Sequence, residues 1–222
     1  MKHSVFCLLL CLSIAPVRAE TPPQGFARWE KDIAAFEAAD KTNPPPQNAI
    51  LFIGSSGIRL WKTLARDFPN HRVINRGFGG SQIADSTHFA ERIIFPYKPK
   101  MIVLRAGSND LWAKKSPEQV IADFKAFVAK VREQLPETEI LFVGMNPTIA
   151  RWKQHDKELA VNAGIAALAR EMPHVKYLDT HDHYLGPDGQ PRADLLAPDK
   201  LHFSPEGYQV LANLIRPHLP KE

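Results

Sequence analysis

Cysteine is almost missing: the 222-residue chain has two, Cys7 and Cys11, both near its start. Beyond residue 11 this excludes a disulfide framework, a thiolate zinc site and a cysteine nucleophile. Long apolar runs are equally scarce. The run from Val5 to Ile14 is only about half the roughly 20 residues that cross a bilayer, and no later stretch does better. Charge of one sign is also lacking, with 28 Lys and Arg against 24 Asp and Glu. Without a basic stripe interleaved with aromatics, a nucleic-acid partner has no support. There is no internal repeat and no low-complexity tract beyond Pro44-Pro45-Pro46.

What is present at the start is a pattern of export. Lys2 precedes the apolar run, and Pro16 and the small-residue pattern Val17-Arg18-Ala19 follow it, which reads as a secretory signal cleaved after Ala19. Leu10-Cys11 lacks the small residue expected before a lipidated cysteine. The mature product is expected in the periplasm or outside the cell, with no stable membrane anchor. Loss of Lys2 and Arg18 lowers the formal charge from +4 to +2, and the mature chain has no cysteine. The expected division is a signal at 1–19, an N-terminal helix with a proline-rich linker at 20–48, and one main domain at 49–222.

Phe26, Trp29, Ile33 and Phe36 recur at helical spacing and predict an amphipathic helix on the outside of the domain, ending before Asn43-Pro44-Pro45-Pro46. Short apolar runs then alternate with helical patterns: Ala49 to Ile53, Arg72 to Asn75, Met101 to Arg105, Ile140 to Gly144 and Val175 to Asp179. Such alternation predicts an α/β fold with a parallel sheet covered on both faces. Ser116-Pro117-Glu118-Gln119 marks a helix start with a capping box, and Ser204-Pro205-Glu206 repeats most of it. In such a sheet, ligands bind outside the carboxyl ends of the strands, so the loops there should hold the chemistry.

Four of those loops carry candidates, each with an ordinary alternative. The first strand breaks at Gly54-Ser55-Ser56-Gly57, which puts Ser56 on a tight strand-to-helix turn; the same residues also make a plain turn with a helix cap. The second ends in Gly77-Phe78-Gly79-Gly80-Ser81, whose glycines let backbone N–H groups approach a ligand. A dinucleotide loop fits poorly, for the third glycine is out of place and the loop follows the second strand. The third ends in Gly107-Ser108-Asn109-Asp110, where the Asn109 amide is either an oxyanion donor or a turn residue. Before the last helix, Asp199-Lys200-Leu201-His202 places an acid three residues from an imidazole it could orient, the logic of a Ser-His-Asp triad, or is a surface pair.

Together and in this order, these blocks resemble the SGNH, or GDSL-like, serine hydrolase family, over Ala49 to the C-terminus. The resemblance implies a three-layer α/β/α, flavodoxin-like parallel sheet of about five strands. It also implies an esterase in which Ser56 is the nucleophile, His202 the general base and Asp199 its orienting acid. Ser56, Gly80 and Asn109 would form the oxyanion hole. The expected substrate is a small-molecule or saccharide ester with a short acyl or O-acetyl group, and no cofactor is needed. A lysophospholipase or thioesterase, or a binding protein that has lost turnover, are the alternatives. The family's Gly-Asp-Ser-Leu is here Gly54-Ser55-Ser56-Gly57, so an aspartate and a leucine are replaced and the bracing of the turn needs an explanation.

Two further groups compete for a role. Phe78, Trp112 and Trp152 lie near strand ends, where they either line the pocket or serve as packing. Asp179-Thr180-His181-Asp182-His183 crowds imidazoles and carboxylates, the makings of a divalent-metal site or a solvated loop, and the serine mechanism needs no metal.

Overall fold

The computed structural model describes residues 25–221. The expected signal at 1–19 lies outside the described residues, and no helix among them is long and apolar enough to cross a membrane. The elements in chain order are α1 (Glu30–Thr42), β1 (Ile50–Gly54), α2 (Ser56–Arg59), α3 (Leu64–Asp67), β2 (Val73–Gly77), α4 (Ile83–His88) and α5 (Ala90–Ile93). There follow β3 (Met101–Arg105), α6 (Ser108–Trp112), α7 (Pro117–Arg132), β4 (Glu139–Val143), α8 (His155–Glu171), β5 (Val175–Leu178) and α9 (Pro205–Ile215). Each strand lies within two residues of its expected apolar run.

The strands form one parallel sheet in the order β2-β1-β3-β4-β5. Side chains alternate across a strand, and here the alternation divides the core in two. Leu51, Ile53, Ile102, Leu104, Ile140 and Phe142 face one layer, built from α1, α4, α7 and α8. Ile50, Phe52, Met101, Val103, Leu141 and Val143 face the other, built from α2, α3 and α9. Burial on both faces explains why these strands read as unbroken apolar runs.

Both expected helix starts are in place. Ser116 Oγ accepts from the Gln119 N–H at 3.3 Å while Gln119 Oε1 accepts from the Ser116 N–H at 2.8 Å, and Ser204 Oγ accepts from the Gly207 N–H at 3.1 Å. The N-terminal helix is on the outside, as its pattern predicts, but it does more than cover the core. Just ahead of α1, the Trp29 ring packs edge-on against Phe78, and its far edge is 3.2 Å from where a side chain on Gly80 would begin. The segment before the proline linker therefore reaches the strand-end loops.

Candidate active site

From β1 the chain runs to one side, into β2, and from β3 to the other, so a crevice opens past the ends of β1 and β3, as parallel sheets of this order provide. Gly54 closes β1 at φ +137°, and a Cβ there would lie 2.0 Å from the Arg105 carbonyl oxygen. Only glycine permits that approach, and it turns the chain so that Ser56 opens α2 at the crevice. The turn is braced without the aspartate that Ser55 replaces. The Gly54 carbonyl accepts from the Phe78 N–H at 3.0 Å and the Ser81 hydroxyl at 3.2 Å. Asn75 Nδ2 donates to the Ile58 carbonyl at 2.7 Å and the Tyr208 hydroxyl to the Gly57 carbonyl at 3.0 Å.

Residues 56 and 202 are 146 positions apart and meet: Ser56 Oγ and His202 Nε2 are 2.9 Å apart. On the ring's other side, His202 Nδ1 and Asp199 Oδ2 are 2.5 Å apart. The second oxygen of Asp199 accepts from the N–H groups of Leu201 and His202, both at 3.0 Å. The hydrogen bond to the His202 ring, then that from its backbone, holds the Asp199 carboxyl down to about 2. The loop is fixed by its backbone, with Ala197 N–H donating to the His202 carbonyl at 2.7 Å, and Lys200 in the left-handed region at φ +61°. With Asp199 accepting at Nδ1, the imidazole can present Nε2 to the serine as a base.

Ser56, Gly80, Asn109 and His202 front one cleft of about 320 Å³. Gly80 is held at φ +81° in the loop after β2. Among the described residues neither the Ser56 nor the Gly80 N–H donates a hydrogen bond. Asn109 lies in the first turn of α6; its Nδ2 donates to the Ser81 carbonyl at 3.0 Å, leaving a second amide hydrogen. Arg151 Nη2 donates to Asn109 Oδ1 at 2.8 Å, and Arg151 Nη1 to Ser108 Oγ at 3.0 Å. A guanidinium can only donate, so Arg151 fixes which end of the Asn109 amide is oxygen. Behind them Asp110 is fully buried, accepting from Lys115 Nζ at 3.1 Å and from the Ile83 N–H, which ties α6 to the start of α4. Burial pushes its carboxyl up to about 6. The arrangement can activate a hydroxyl and offer N–H donors to a developing oxyanion.

A family model, described as GDSL-like lipase/acylhydrolase, matches residues 53–210. The chain belongs to this family. Acyl-ester hydrolysis is the activity of GDSL-like acylhydrolases in general, and the family membership extends that general activity to this chain. A search of curated proteins found no match. Among solved structures, the chain is similar to a Streptococcus pneumonia protein provisionally described as a platelet activating factor. Identity is 21%, the match covers 88% of this chain and 95% of that one, and the TM-score is 0.77. A GDSL-like lipase from Bacteroides thetaiotaomicron aligns at 17% identity over 87% of this chain and 96% of that one, with a TM-score of 0.67. An acetylxylan esterase from Geobacillus stearothermophilus aligns at 17% identity over 80% of this chain and 96% of that one, with a TM-score of 0.61. At these identities the likeness establishes the three-layer fold.

Within the GDSL-like frame, the second departure at the turn has a steric cause. A Cβ on Gly57 would lie 2.3 Å from Arg105 Nη1, so the guanidinium occupies the space a leucine side chain would need. Of the aromatic candidates, Phe78 is fully buried in the core, Trp152 stacks on His155 with ring centroids 4.2 Å apart, and Trp112 is 58% exposed. None of the three lines the cleft or the smaller cavity beside Ser56. In the loop after β5, His181 Nδ1 pairs with Asp182 Oδ1 at 2.6 Å and its Nε2 lies 3.4 Å from His155 Nε2. Among the described residues no group of three or more His, Cys, Asp or Glu side chains converges as a metal would need. Arg105 and Arg151 were not signalled by any motif. The one local hint is that Arg105 is the charged end of an otherwise apolar strand, Met-Ile-Val-Leu-Arg, at the edge where ligands bind.

Proposed function

We propose that this chain is an exported serine esterase that hydrolyses carboxylic esters with short acyl groups, O-acetyl groups on saccharides among them. Ser56 Oγ attacks the ester carbonyl while His202 Nε2 takes its proton. The alcohol leaves with that proton, and an acyl-Ser56 ester remains. Water, deprotonated by His202, then attacks this ester and releases the acid, restoring Ser56. Asp199 orients the imidazole and stabilises its cation. The N–H groups of Ser56 and Gly80 and the amide of Asn109 hold the oxyanion, each donor worth about 3 kcal/mol.

The observation that carries this reading is the continuous chain from Ser56 Oγ to His202 Nε2 at 2.9 Å and from His202 Nδ1 to Asp199 Oδ2 at 2.5 Å. An acetylxylan esterase among the structural relatives is in keeping with a short acyl group. Export is inferred from residues 1–19 and is checked by the mass of the mature N-terminus, expected to start at Glu20.

A fluorophosphonate probe tests the chemistry: it should modify Ser56 in the wild type and fail in Ser56→Ala and His202→Ala, which should also lose hydrolysis of 4-nitrophenyl acetate. A folded wild type that stays unlabelled is a binding protein and not an esterase. Rates that climb from acetate to dodecanoate esters would overturn the short-acyl preference in favour of a lysophospholipase-type or thioesterase-type substrate.

A further inference from the structure

The cavity beside Ser56 is lined by two arginines, and among the described residues neither is paired with a carboxylate. Arg105 lies in a slot: its guanidinium covers the Phe203 ring at 4.6 Å, fills the space above Gly57, and donates Nη2 to Asn146 Oδ1. Its Nε is shielded from solvent and has no hydrogen-bond partner. Arg151 lines the same cavity; it donates to the neutral oxygens of Ser108 and Asn109, and its guanidinium lies over the Trp112 ring at 5.4 Å. Among the described residues neither guanidinium has a carboxylate within ion-pair distance. Glu158, an acid whose charge both arginines feel, accepts from Ser108 and Gln154 instead, and burial pushes its carboxyl up. Even with Glu158 ionised, two cations face one anion.

Burial lowers the pKa of both arginines, and the two like charges oppose each other. Both arginines are partly buried; charge withdrawn from water without a counter-charge is unfavourable, and an anionic ligand would complete the pair. The cavity, about 50 Å³, has room for three or four waters, which matches a carboxylate. Planar guanidinium groups favour a carboxylate for its matching fork geometry.

We propose that this site selects esters carrying a carboxylate close to the scissile bond, bound by Arg105 and Arg151. The proposal rests on Ser56 being the nucleophile. It names the substrate class of the same site: an acylated hydroxy acid or sugar acid, or the half-ester of a dicarboxylic acid.

The test uses two matched pairs on the wild-type protein. 4-Acetoxybenzoate against its methyl ester puts the charge on the alcohol side. Mono-4-nitrophenyl succinate against its methyl ester puts it on the acyl side. With rates normalised to alkaline hydrolysis, kcat/KM for the carboxylate should exceed that of the neutral partner by about tenfold or more in one pair, the scale of a charge-assisted hydrogen bond. In Arg105→Gln the preference should fall toward unity, and Arg105→Lys should keep part of it. Ratios below that level in both pairs, with Ser56 still labelled by fluorophosphonate, overturn the proposal and leave the esterase reading intact. Absence of both labelling and hydrolysis takes down both. Should Arg105→Gln not fold, the wild-type ratios decide alone.

Discussion

Replacing Arg151 by methionine keeps the length of the side chain and removes its donors, and it should slow the enzyme without touching a reacting atom. Arg151 Nη2 donates to Asn109 Oδ1 at 2.8 Å, and Ser81 accepts from Asn109 Nδ2 at 3.0 Å. Together they hold the amide so that its remaining hydrogen is free for the oxyanion. With the amide reversed, its oxygen would face the oxyanion and repel it. A hydrogen bond from a charged donor contributes about 1.5–3 kcal/mol, a factor of about 10 to 150. The upper limit is the loss of the Asn109 donor itself, about 100-fold or more in kcat. We therefore expect Arg151→Met to lower kcat on 4-nitrophenyl acetate by about 10- to 100-fold, with KM changed less, and Arg151→Lys to restore part of it. That ester is neutral, so any role of Arg151 in binding a carboxylate does not enter. The double variant with Asn109→Ala should be no slower than Asn109→Ala alone, because the arginine acts through the amide. Wild-type kcat in Arg151→Met, or losses that multiply in the double variant, would refute the reasoning. Thermal melts of each variant separate lost rate from lost fold.

Restoring the family's leucine with Gly57→Leu should destabilise the protein by about 2–3 kcal/mol, seen as a lower midpoint in urea, because the new Cβ falls 2.3 Å from Arg105 Nη1. Pairing it with Arg105→Ala should recover much of the loss. Asp199 has its carboxyl lowered from 3.8 to about 2, so it contributes stability above pH 3.8 that is lost as pH falls through 2. The melting temperature of wild type over Asp199→Asn should therefore be positive at pH 5–7 and shrink between pH 4 and pH 2, and a pH-independent difference would contradict it.

The fold and half of the site were readable because both are written locally. Apolar runs mark the three central strands, β1, β3 and β4, since a strand buried on both faces needs few polar residues, while the edge strands β2 and β5 carry Asn75, Arg76 and Lys176. Ser56, Gly80, Asn109 and His202 each sit in a short motif at a strand end or helix start. What the sequence did not signal is long-range. Arg151 lies in the turn after β4 and acts on Asn109, 42 positions earlier, with no residue pattern linking them. The aromatics, which the sequence left open between pocket and packing, resolve to packing in the case of Phe78: it stands next to Gly79 and Gly80 in sequence, but its side chain points into the core, under Trp29.

The two departures from the family pattern have different meanings. Ser55 costs nothing visible, because the turn it belongs to is tied down by backbone groups and by Asn75, Ser81 and Tyr208, none of them beside it in sequence. Gly57 leaves room next to Ser56 that the guanidinium of Arg105 occupies, and a leucine there would force that guanidinium to move. A hydrophobic wall at that point would suit an acyl chain, whereas a cation suits an anion. The substitution that makes the motif look weaker is thus the one that changes what the cleft can recognise.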